Sequence, residues 1–60
     1  MNAWAYHIMW RGRIIVKDIG YETEAEAREF CIREINRRYR LYGMRSRISY
    51  DVYQEWIDLD

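Results

Sequence analysis

Two single residues carry most of what this sequence excludes. Cys31 is the only cysteine, so no disulfide can form within the chain. His7 is the only histidine, which rules out a zinc site of Cys and His ligands within one chain. Proline is absent and the three glycines are isolated, so no phosphate-cradling glycine loop is present. No low-complexity tract, repeat or linker interrupts residues 1–60, which read as a single domain. No apolar run approaches the roughly 20 residues that span a bilayer. The opening "MNAWAYHIMW" has no basic leader and is broken by polar residues, so it is not read as a signal peptide. The lone thiol fits a reducing, cytoplasmic setting. A chain this short buries only about 60% of its unfolded surface and usually needs a disulfide, a metal or a partner. With the first two unavailable, the expected staple is a partner or self-association.

What is abundant points the same way. Half of the residues are hydrophobic, and three Trp, six Tyr and one Phe make ten aromatics. One layer of sheet and one helix cannot hide them all. Tyr and Trp suit interfaces because each has a polar tip, although tyrosines can also line a rim with their hydroxyls in water. Net charge is zero, so no global attraction to nucleic acid or to anionic membrane is expected. The charges are nevertheless segregated: residues 1–32 carry −1, residues 33–47 carry +5 and residues 48–60 carry −4. All cations but Lys17 are arginine, which makes planar two-pronged contacts with carboxylate or phosphate.

The spacing predicts four elements. "WAYHIMW" alternates with period two, and Arg11-Gly12 can turn the chain into a second strand, "RIIVKDI". That turn sets Ile8 opposite Ile15, Trp4 opposite Ile19 and Met9 opposite Ile14. Thr23 followed by Glu26 is a capping-box signature. The helix is expected from about Glu24 to Tyr42, with Gly43 as its stop. Ala25, Cys31, Ile32, Ile35, Tyr39 and Tyr42 form its apolar side, while Phe30 and Leu41 lie off that stripe. A third strand is expected from about Arg47 to Tyr53, continuing toward Leu59 with an irregularity near Gln54; a short helix from Asp51 is the alternative. The result is an α+β fold, ββαβ, with a three-stranded antiparallel sheet in order 2-1-3 and one long helix on one face.

One helix covers one face. Bulky residues fill a sheet–helix layer best, which favours cover over Trp4, Tyr6 and Trp10. His7, Met9, Ile14 and Val16 then lie on the open face, an apolar area that a monomer rarely shows. With the helix on the other side, a row of aromatics would be open instead. The expected protein interface is therefore His7, Met9, Ile14, Val16, Tyr39, Tyr42, Tyr53 and Trp56.

No catalytic set is evident. Cys31 falls on the apolar helix stripe, where a thiol is packing. No acidic pair lies in an evident cleft, and no cofactor or metal is expected. The stretch "NRRYRLYGMRSR" needs a different weighing. Glu24, Glu29 and Glu34 each precede an arginine by four residues, the favourable order for helical ion pairs. Arg37, Arg40, Arg45 and Arg47 are left without local partners, near Tyr39 and Tyr42. Basic groups among aromatics could hold phosphates and stack on bases, or could meet the acidic tail "YDVYQEWIDLD" in the same chain or a second one. That tail is an edge strand kept soluble by charge, or a mimic of a nucleic-acid backbone.

The run Tyr6-x-Ile8, Gly12-Arg13 and then "GYETEAEA" (Gly20 to Ala27) resembles the Arm-type DNA-binding domain at the start of phage-type integrases, over residues 6–30. The resemblance implies a three-stranded sheet whose face binds DNA, with Arg11, Arg13 and Lys17 as the residues to inherit that role. Two expectations follow. The first is a non-enzymatic, homodimeric interaction protein of the phage or mobile-element inhibitor or regulator type, bound to a cellular protein and with no membrane partner. The second is a small DNA- or RNA-binding protein using Arg11, Arg13, Lys17, Arg37, Arg40, Arg45 and Arg47.

Overall fold

A computed structural model of the chain describes residues 1–39 and 47–58. Its elements are β1 (Asn2–Trp10), β2 (Arg13–Tyr21), α1 (Glu24–Arg38) and β3 (Ile48–Trp56). The strands form one antiparallel sheet in the order β2-β1-β3, with the helix packed on one face. The ββαβ architecture and strand order read from the sequence are those observed.

The β1–β2 turn is tight because both of its central residues take positive φ, Arg11 at 51° and Gly12 at 80°. That is the backbone twist a two-residue hairpin needs. The Arg11 guanidinium lies 4.7 Å from the centre of the Trp10 ring, a contact that accompanies the strained arginine. The helix starts at an extended Thr23 whose hydroxyl accepts from the Glu26 N–H at 3.1 Å. Glu24 and Glu26 occupy the first turn and Arg37 and Arg38 the last, matching the helix dipole at both ends.

Three expectations need correction. The helix ends at Arg38, because Tyr39 has left helical geometry and caps it with an N–H to the Ile35 carbonyl. The predicted extension through Leu41 and Tyr42 to Gly43 lies outside the described residues. β3 runs unbroken to Trp56, in continuous register with β1, and has no irregularity at Gln54. The hairpin register also differs. Ile8 pairs with Val16 and Trp4 with Tyr21, because the ladder shifts once at Ile15 and again at Gly20. Gly20 takes φ 115°, which only glycine adopts without strain.

The core lies on the face of Tyr6 and Ile8, under Cys31 and Ile35 of the helix. Val16, Tyr21, Tyr39, Ile48 and Val52 pack around it. The helix thus covers the Tyr6 face, as bulk dictates. On the helix Ala27 is buried while Ala25 and Ile32 are exposed, so the stripe is narrower than the wheel implied. Tyr6, Tyr21 and Phe30 form a ladder of rings, with centres 5.8 and 5.2 Å apart, that shelters one side of the core.

Ile8 is fully buried at the centre, so Ile8→Ala is expected to cost about 2–5 kcal/mol and to leave the chain largely unfolded in a urea titration. Gly12→Ala meets no atom within 4 Å but must hold φ 80°, and is expected to cost about 1–2 kcal/mol in the same assay.

Candidate functional site

The face away from the helix carries Ala3, Ala5, His7 and Met9 of β1, flanked by Ser49, Asp51, Tyr53 and Glu55 of β3. On the β2 side it carries Ile14, Lys17 and Ile19. Ala3 and Ala5 are buried although no helix lies over them. Their cover comes from the flanking strands. The Lys17 ammonium on β2 reaches Glu55 on β3 at 3.4 Å, crossing the central strand between them. Lys17 faces His7 and Glu55 faces Ala3, so the bridge passes diagonally over Ala5. The Glu55 carboxylate, helped by Tyr53, holds the ammonium's pKa above its ordinary value. Beside the bridge, His7 Nε2 lies 3.0 Å from Asp51 Oδ2. The His7 ring packs 5.3 Å from that of Tyr53. Small residues on the middle strand allow long polar ones on its neighbours to close the surface.

The expected interface set therefore does not form one patch. His7, Met9, Ile14 and Tyr53 do share the open face. His7 is tied to Asp51, and Met9 is half-buried. Val16 was expected there and is not: the extra residue at Ile15 rotates it under the helix against the core. Ile19 takes its place on the open face, because the same shift, at Ile15, sets it opposite Ala5 instead of Trp4. Gly20, an isolated glycine in a strand, signals only the second shift, which sets Tyr21 opposite Trp4. Tyr39 packs on the core. Trp56 shares the Val52 face at the far end of β3 and is 66% exposed. Tyr42 lies outside the described residues.

The helix arginines and Lys17 are engaged in ion pairs. Arg28 pairs with Glu24 at 2.7 Å and Arg33 with Glu29 at 2.8 Å. Glu34 receives Arg38 and also Arg37, at 3.1 Å for the latter, so Arg37 is not locally unpaired as its spacing suggested. Lys17 is bound to Glu55, and Arg11 lies on Trp10. Arg13 and Arg47 have no carboxylate within salt-bridge distance among the described residues. Arg40 and Arg45 lie outside that set.

No three His, Cys, Asp or Glu side chains cluster closely enough to hold a metal ion among the described residues. Nor is any described helix long and apolar enough to cross a membrane. Cys31 is fully buried, and burial pushes its thiol up to about 11. No family model, curated protein or solved structure matches this chain.

The Cys31 thiol has a consequence for stability. Its ordinary value is 9.0 and its folded value about 11, so the unfolded chain loses that proton first. The stabilisation is complete below pH 9 and is lost as pH rises toward 11. Tyr6 and Tyr21, raised by the same burial, act in the same direction. Urea midpoints are expected to fall steadily over that window, and less steeply in Cys31→Ala. Thiol reagents are expected to label Cys31 only in denaturant.

Proposed function

We propose that this chain is a non-enzymatic interaction protein that acts as a homodimer and docks on another protein, in the manner of a small inhibitor or regulator. One observation carries the reading. Among the described residues the core cluster holds Tyr6, Ile8, Cys31 and Ile35, while Ile14, Ile15, Ile19, Phe30, Ile32, Tyr50 and Trp56 are 38–66% exposed. A single chain spends its large apolar side chains on its surface, and a second molecule is the cover that would repay them. Met9, Ile14 and Ile19 supply the open-face contact to the target. The cellular setting expected for a lone thiol fits this reading.

Among the described residues the nucleic-acid alternative keeps Arg11, Arg13 and Arg47 outside ion pairs. Counterion release needs several free cations on one surface. Here Arg28, Arg33, Arg37 and Arg38 serve the helix, and Lys17 serves the sheet. The resemblance to Arm-type domains would rest on Arg11 and Arg13 alone.

Sedimentation equilibrium of the full chain up to about 100 μM tests the proposal, a ceiling chosen from the strength of ordinary interfaces. A dimer is expected; a monomer throughout that range overturns the homodimer. In parallel, mobility shifts on mixed DNA and RNA at two salt concentrations are expected to show nothing. A low-salt shift that fades steeply with added salt would establish the alternative instead.

A further inference from the structure

The two edges of the sheet are not equivalent. Backbone direction follows from one pair: the Ile57 N–H donates to the Met1 carbonyl at 2.8 Å, and the Met1 ammonium donates back to the Ile57 carbonyl at 3.3 Å. In an antiparallel ladder such exchanging pairs recur at every second position. Glu55, Tyr53, Asp51 and Ser49 therefore also bond to β1, and Ile48, Tyr50, Val52, Gln54 and Trp56 aim their N–H and C=O groups away from the sheet. The same alternation makes Ile19 of β2 point outward. Its N–H is already taken by the Asp18 carboxylate at 3.0 Å, which also accepts from the Tyr21 hydroxyl at 2.6 Å. With the ladder shifting twice along it and Lys17 at its middle, β2 is a blunted edge. β3 has no register shift and no capped outward N–H, and its charges, Asp51 and Glu55, are tied to His7 and Lys17 on the open face. Its nine residues are regular, and among the described residues nothing pairs with its outer side.

We propose that β3 is the self-association edge: two copies pair their β3 strands antiparallel across a two-fold axis at Val52, making one six-stranded sheet. This rests on the homodimer reading and names its surface. Charge chooses the register. An axis at Asp51 would set the Asp51 carboxylates face to face, and an axis at Tyr53 would set Asp51 against Glu55. The Val52 register opposes no like charges directly. It pairs the whole strand end to end, Ile48 against Trp56 and Tyr50 against Gln54, and so covers the exposed indole.

The test is register-specific. Tyr50 and Gln54 are exposed, and both lie on the free edge. Tyr50→Arg with Gln54→Arg places guanidiniums opposite each other twice per dimer and is expected to weaken dimerisation about tenfold or more. Tyr50→Arg with Gln54→Glu places opposite charges together and is expected to restore it. Circular dichroism confirms that each variant folds, and hydrogen exchange of the unsubstituted chain reads the edge directly. Concentration-dependent protection of the Tyr50, Val52 and Gln54 amides supports the pairing. A dimer that ignores both double variants, or protects no β3 amide, overturns this edge while the homodimer reading stands. A monomer throughout overturns both.

Discussion

The asymmetry of the central strand is the constraint on which the structure depends. β1 presents Tyr6 and Ile8 to one side and Ala3 and Ala5 to the other, and these are its most deeply buried residues. The large side needs a thick cover, and the helix supplies Cys31 and Ile35. The small side needs only a thin one, and crossing side chains of the outer strands provide it. A three-stranded sheet with one helix thus buries both faces of its middle strand. The shortfall in cover is displaced outward, onto β2 and the free side of β3. That displacement explains why the exposed apolar surface is mostly isoleucine at the margins instead of aromatics at the centre.

Element type and order were legible because each element announces itself locally. Period-two alternation marks β1, and Thr23 with Glu26 marks the helix start. The face covered by the helix also followed from bulk alone. Register was not legible. A shift of one residue exchanges the faces of everything beyond it, and β2 carries two such shifts. Both add a residue to β2, so the turn and Met9 opposite Ile14, which precede the first shift, were read correctly, while Val16 and Ile19, which lie beyond it, traded places. Only Gly20 hinted at a bulge; nothing in "RIIVK" singles out Ile15. The candidate site inherited this error directly, since Val16 entered it and Ile19 was missed.

The charges show a related limit. Along the sequence the basic block of residues 33–47 looks like a cluster awaiting a polyanion. In three dimensions its helical members are paired within one turn, two of them on Glu34. Exposed pairs of this kind add little stability, typically a few tenths of a kcal/mol each. Their effect here is to neutralise the surface. Counting cations overstates a binding site whenever acids stand three or four residues earlier on the same helix.

The inequality of the edges bears on how such a sheet can assemble. A sheet with two open edges pairs head to tail without limit and grows into fibres. A sheet with one open edge can pair only once if the contact is two-fold. β2 carries both shifts, a capped N–H and Lys17, and those features would have no use on an edge covered in every assembly. β3 lacks them, although its outward backbone groups are as ready to pair. Joining through β3, as proposed, would leave the two blunted β2 strands outermost and close the assembly at two copies. The open-face residues Ile14 and Ile19 would then lie at both ends of one continuous sheet, clear of the joined edge.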